Sequence, residues 1–226
     1  MSAPERARPT RLVLVRHGET VWHAENRYAG GSSDIDLTDR GREQAAALGR
    51  WAAGGQVDAL VVSPVRRARE TAAPIAEATG LEAVVEEELR EVDFGVAEGR
   101  TLAEVAAEDP ELVARFRADP AAHPFPGSEP PAQAAARAAA ALRRVAAAHP
   151  GGRVVVVAHN TLLRLALCDL LGLPVGGYRR LFPRLETAAL TEVALPPDPA
   201  DPVSLLLLNA PPLDPASHPV TRSTKE

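Results

Sequence analysis

Three short runs of apolar β-formers in the sequence each stop at histidine or arginine or shortly before it. Leu12–Val15 runs into Arg16 and His17, Ala59–Val62 into Ser63 with Arg66 and Arg67 close behind, and Val154–Ala158 into His159 and Asn160. Imidazole can act as a nucleophile near neutral pH, and planar guanidinium forks suit phosphate oxygens. Two imidazoles and two guanidiniums at one place would repel one another unless they bound an anion. A neutral imidazole attacking phosphorus would form a phosphoimidazole and split one hard displacement into two easier ones. The surrounding cations would stabilise charge on the equatorial oxygens. The departing alkoxide would still need a proton, and the segment ELREVDFGVAEGRT offers Glu91, Asp93 and Glu98 for that task.

The elements must bring those places together. Near-continuous Val and Leu without alternation reads as strands buried on both faces. LTDRGREQAAALGRWAA reads as a helix with Thr38 or Asp39 as N-cap. SPVRRARETAAPIAEATG reads as a helix with Ser63 as N-cap and Pro64 at its first position, ending at Gly80. NTLLRLALCDLLGLP reads as a helix closed by Gly172 and Pro174. Further strands are expected at Glu82–Glu86, Thr187–Ala194 and Val203–Leu208, the last two as a hairpin at a sheet edge. This alternation predicts an α/β fold: three layers, α/β/α, with a mostly parallel central sheet. Ligands in such sheets bind beyond the carboxyl ends of the strands, where all three runs stop. Thr101 to Pro131 carries a pair of short helices and the Pro-dense DPAAHPFPGSEPP, and is expected to lie over the active-site end as a lid-like insertion. His123 within it is a candidate for contact with a ligand. The expected organisation is a disordered tail over 1–10, a single domain over 11–208, and a disordered tail over 209–226.

The composition excludes several classes. A net charge of −5 argues against a dedicated nucleic-acid binder. Lys225 is the lone lysine among 25 basic residues, so arginine is common everywhere and only an arginine in a defined context carries meaning. Cys168 is the one cysteine, which rules out an intramolecular disulfide and a cysteine zinc site; its apolar helical setting predicts a buried side chain. No apolar leader segment and no run of about eighteen apolar residues is found, which predicts a cytoplasmic protein without membrane contact. Arg164, Arg179 and Arg180 read as structural charges, and His149 and His218 as surface residues.

Four blocks in order resemble the histidine phosphatase superfamily, the phosphoglycerate mutase-like group, across Arg11 to Leu208. Arg16-His17-Gly18 with Glu19-Thr20 is similar to its signature, continued by ENRYAG. SPVRRARETA resembles its phosphate-arginine block, LREVDFGVAEG its proton-donor segment and VVVVAHNTLLR its second-histidine block. The resemblance implies His17 as nucleophile, Glu91 as proton donor, and Arg16, Arg67 and His159 as phosphoryl ligands. It extends phosphate binding to Asn26, His23 and Asn160, and substrate contact to Thr20 and Arg27. It implies no metal and no cofactor. The chain departs from the family pattern at His23, where Asn is usual, at Asn160, where Gly is usual, and at Ala97, where Trp is usual and the mouth of the site is expected to widen.

The implied function is hydrolysis of a small phosphate monoester. The alternatives are mutase-type transfer of the phosphoryl group to a second hydroxyl, and a non-catalytic phosphate-binding module. Retention of Glu91 disfavours the last, and the sparse charge of the tail disfavours the mutase. The edge hairpin offers a surface on which a second copy could pair to give a homodimer.

Overall fold

The computed structural model describes residues 8–213. In chain order the elements are β1 (Thr10–Arg16), α1 (Val21–Glu25), α2 (Asp39–Ala53), β2 (Ala59–Val62), α3 (Arg66–Thr79), β3 (Ala83–Val85), α4 (Leu102–Glu108), α5 (Pro110–Ala118), α6 (Pro131–Ala148), β4 (Arg153–Ala158), α7 (Asn160–Leu170), α8 (Tyr178–Leu181), β5 (Leu190–Leu195) and β6 (Ser204–Ala210). The strands form one sheet in the order β3-β2-β4-β1-β5-β6. The first four of these run parallel, and β5 and β6 are antiparallel to their neighbours.

The expected three layers are present. Successive residues of β1 point to opposite faces. Leu12 and Leu14 join a core with the alanines of α6 and the leucines of α7, while Val13 and Val15 join a second core with α2 and α3. Two covered faces explain the unbroken apolar runs. Small residues let α6 sit close to the sheet: Ala134, Ala135, Ala138, Ala139 and Ala141 are all buried on its inner side. Cys168 is buried in α7 as expected. The edge hairpin is also present, with β6 outermost and Leu205 to Leu208 exposed along it.

The structure corrects several boundaries. Thr10 lies in β1, and Asn209 and Ala210 lie in β6, so both strands reach into the segments expected to be tails. The remaining tail residues, 1–7 and 214–226 with His218, lie outside the described residues. α3 starts at Arg66 with Val65 as N-cap, not at Pro64 with Ser63 as cap. The Ser63 hydroxyl is instead 2.7 Å from His159 Nε2, and the chain stays extended through Val65 before it coils. For α2 the N-cap is Thr38, whose side chain accepts from the Gly41 N–H. Among the described residues no helix is long and apolar enough to cross a membrane.

Candidate active site

Register alone brings the two histidines together. β1 and β4 are parallel neighbours with Arg16 opposite Ala158, so the next residues, His17 and His159, leave the sheet side by side. Val62 of β2 pairs with Val157, which sets Ser63 beside them. The His17 and His159 ring centroids are 5.2 Å apart, and the His23 ring is 5.6 Å from that of His17.

The turn after β1 is held rigidly. Gly18 passes against the first turn of α2, so closely that a Cβ on Gly41 would sit 2.1 Å from the Glu19 carbonyl oxygen. The Gly18 N–H donates to Thr71 Oγ1 at 2.9 Å, and that hydroxyl donates to the Arg67 carbonyl one turn earlier in α3. His17 Nδ1 lies 2.8 Å from the Gly18 carbonyl, and Arg67 Nε donates to His17 Nε2 at 3.2 Å. A carbonyl can only accept, so Nδ1 carries the proton and Nε2 keeps its lone pair. Burial, reinforced by the charges of Arg67 and Arg16, holds the His17 pKa well below its usual value. The ring is therefore neutral, the form with nucleophilic capacity.

Arg67, rather than Arg66 or Arg69, joins this cluster. It is fully buried, whereas Arg66 pairs with Asp36 and Glu70 at the surface. Its Nη groups donate to the carbonyls of Ser33, Ala29 and Gly30 at 2.9 to 3.0 Å, so the same guanidinium clamps the 29–33 loop against His17. His159 is fully buried too, with Nε2 on Ser63 and Nδ1 without a partner. Burial first, and then Arg67 and Arg16, lowers its pKa well below the usual value.

Arg16 donates from Nη1 to the Leu185 carbonyl at 2.8 Å, its Nη2 contacts His23 Nε2, and its Nε has no partner. Burial lowers the Arg16 pKa to about 10, which leaves it charged at neutral pH. His23 accepts the Thr20 N–H at Nδ1 at 2.9 Å; burial, with Arg16 second, lowers its pKa to about 4. The departure from Asn thus supplies a neutral ring at ordinary pH. Asn26 caps α1 in a left-handed conformation, φ 58°, and lines the cavity with Thr20 and Arg27.

Glu91 completes the group by capping a helix from outside it. α7 has no side-chain cap of its own, and the N–H groups of Thr161 and Leu162 donate to Glu91 at 3.0 and 2.8 Å. A third donor is the Val92 N–H at 2.9 Å. These bonds favour the carboxylate, but complete burial outweighs them and raises the pKa above the usual range. The other two acids are engaged elsewhere. Asp93 is exposed and caps the turn at Gly95, and Glu98 accepts from Gly30 N–H and Ser33 Oγ.

The cavity between these groups has a volume of about 210 Å³. Arg16, His17, Thr20, His23, Asn26, Arg27, Glu91 and Asn160 all line it. Two expectations fail here. His123 is exposed and does not line the cavity: Asp119 accepts from the Ala121 and Ala122 N–H groups, and the insertion turns Phe116 and Phe125 inward instead. Ala97 is buried in the core. Arg164 and Arg179, read as structural, line the cavity, whereas Arg180 is exposed and does not. Arg164 lies four residues after Asn160, hence on the same face of α7, a spacing visible in the sequence. Trp22, Tyr28, Phe94 and Leu102 form the apolar wall, with Tyr28 edge-on to Phe94, Phe116 and Phe125. Among the described residues no group of three or more His, Cys, Asp or Glu could hold a metal ion.

This fold and constellation define a class. The family model described as histidine phosphatase superfamily (branch 1) matches residues 12–205, and the chain belongs to that superfamily. It is 40% identical over 167 residues to the bifunctional protein Rv2228c of Mycobacterium tuberculosis, an alignment covering 72% of this chain and 45% of that protein. The chain thus spans less than half of that relative's length. It is 35% identical over 168 residues to phosphoserine phosphatase 1 of Hydrogenobacter thermophilus, covering 74% of this chain and 79% of the relative. Among solved structures, the mycobacterial glucosyl-3-phosphoglycerate phosphatase Rv2419c superposes with a TM-score of 0.79 at 31% identity, covering 91% of this chain and 100% of that one.

Proposed function

We propose that the chain is a phosphomonoester hydrolase that works through a phosphohistidine on His17. The observation that carries this reading is the tautomer: a buried, neutral imidazole with its Nδ1 proton held by the Gly18 carbonyl and its Nε2 lone pair among guanidiniums. Nε2 attacks phosphorus as the ester P–O bond breaks, and the departing alkoxide takes the proton that burial keeps on Glu91. Arg16, Arg67 and His159 receive the phosphoryl oxygens; the unpartnered Arg16 Nε and His159 Nδ1 suit that role. In the second step the Glu91 carboxylate takes a proton from water as that water attacks phosphorus. The P–N bond breaks, its electrons return to Nε2, and inorganic phosphate leaves with Glu91 reprotonated. No metal enters the scheme.

The name of one relative, phosphoserine phosphatase, and that of the superposed phosphatase favour hydrolysis over transfer. Release of phosphate from p-nitrophenyl phosphate by the native chain, with none from His17→Ala, tests the reading. Labelled phosphate that stays on the native chain in base, is lost in acid and is absent from His17→Ala tests the intermediate. Fast isomerisation of 3-phosphoglycerate without phosphate release would replace hydrolysis by a mutase reaction.

A further inference from the structure

The two edges of the sheet are guarded differently. At one edge β3 is three residues long, with Glu82 before it and Glu86, Glu87 and Glu88 after it. Short length and charge are ordinary protections of a strand edge against pairing with another chain. At the other edge β6 is seven residues long, SLLLLNA, and residues 203–213 contain no charged side chain. Leu205, Leu206, Leu207 and Leu208 are 38% to 48% exposed. Side chains along a strand point to alternate faces, so apolar surface is bare on both sides of this edge. The helical layers stop short of it: every residue of β5 is buried, whereas Ser204 to Leu208 are exposed. Among the described residues no strand lies beyond β6, which leaves its outward N–H and C=O groups without ladder partners. A long, neutral, leucine-rich edge left bare is a template for indiscriminate association.

We propose that β6 is a dimer interface: the β6 strands of two copies meet antiparallel across a twofold axis, and the leucines of each are buried against those of the other. Self-complementarity selects a second copy as the occupant. Near a twofold axis a residue faces its own counterpart, so any charge there would meet its like. β6 carries none, and its middle residue is Leu207. Identical edges running antiparallel also supply each other with ladder donors and acceptors. The sequence after Leu213, DPASHPVTRSTKE, carries two prolines and four charged residues, a poor composition for the added strand. Register shifts around Glu192 bulge the hairpin and increase its twist, which shortens any ladder and puts more of the contact on the leucines. No residue of β6 lines the cavity beside His17, so the pairing is independent of the chemistry there. A seven-residue edge spans about 24 Å and is small beside a standard interface, so the dimer should dissociate on dilution, with Kd about 1–100 µM.

Sedimentation equilibrium tests the pairing. The mass of the native chain should rise from monomer to dimer across that concentration range. Leu207→Lys and Leu207→Glu each set like charges at the axis and should weaken the dimer by about tenfold or more. Mixed in equal amounts, the two variants should recover a dimer holding one of each, which chains that had failed to fold could not do. Leu206→Thr keeps a β-former at an exposed position; it should weaken the dimer less and leave the circular dichroism spectrum unchanged. Val84→Lys, on the opposite edge, should leave the mass unchanged. A native chain that stays monomeric at every concentration, or a dimer untouched by the Leu207 and Leu206 variants, overturns the proposal. So does failure of the two folded Leu207 variants to pair when mixed. A native chain that dimerises only once residues 214–226 are removed overturns it as well, and would make that segment the cover of β6.

Discussion

The two ends of the cavity are built by different means. The end that holds His17, Arg67 and His159 is assembled from three strand termini whose register leaves no freedom, and its side chains are buried and bonded in place. The opposite wall comes from the short helix α8, the insertion and the loop that carries Tyr28, and it mixes arginine with aromatic and aliphatic surface. Strand termini share the rigidity of a core covered on both faces, which suits a step whose reacting atoms are always the same. Short helices and loops change with little cost to the core, which suits recognition of an alcohol that differs between enzymes of one class.

The largest expected effect breaks the rigid end. His17→Ala should lower phosphate release from every monoester by about 10⁴-fold or more, since it removes the group that takes the phosphoryl group in the proposed scheme. Comparable turnover in that variant would remove the nucleophile from the account.

Glu91→Gln should sharpen the contrast by leaving group. Loss of a general acid typically costs about 10²–10⁴-fold, and alkyl esters should show it in full. p-Nitrophenyl phosphate should lose far less, because its phenolate leaves without a proton. In the native chain, kcat/KM for alkyl esters should fall as pH rises through the raised Glu91 pKa, where the needed proton is lost, and Glu91→Gln should lack that limb. Equal losses on both ester types would argue against proton donation.

A smaller effect probes the scaffold beneath His17. In Gly41→Ala the added Cβ meets the Glu19 carbonyl oxygen at 2.1 Å, and both are backbone-constrained. Overpacking of this kind costs about 1–3 kcal/mol, so the melting temperature should drop together with activity. Unchanged activity with a lowered melting temperature would show that the turn after β1 tolerates displacement.

The smallest effect concerns His23. Its pKa is about 4 in the folded chain, against an ordinary value of 6.5. As pH falls from about 6.5 to about 4 the unfolded chain takes up the proton first, so native stability declines across that window. His23→Asn removes the titration, and its melting temperature should depend less on pH there than that of the native chain. Parallel curves would mean that His23 is not held neutral by its surroundings.

Much of the rigid end was legible in the sequence because strand termination, residue type and order each leave a local trace. Arg67 could be preferred to Arg66 and Arg69 only through the block it belongs to, and burial then separates them. Thr71 stands in the same block, but its bond to the Gly18 N–H spans 53 positions and has no local sign. The opposite wall was misread. His123 was a polar residue in a promising segment, yet the insertion buries its phenylalanines and leaves the histidine in water. Arg164 carried a usable signal in its helical spacing from Asn160. Arg179 carried none, since α8 reaches the cavity only by folding back across α7.

By itself the sequence determined the layered α/β fold, the strands that end on Arg16-His17, Ser63 and His159-Asn160, and the family those blocks belong to. These follow from short-range patterns: apolar runs, caps, turns and the residues that stop them. Only the tertiary structure decided which nitrogen of His17 keeps its lone pair, that burial pushes the Glu91 carboxyl upward, and which arginines line the cavity. Each of those depends on burial and on partners distant in the chain, and neither is encoded in the spacing of any one segment.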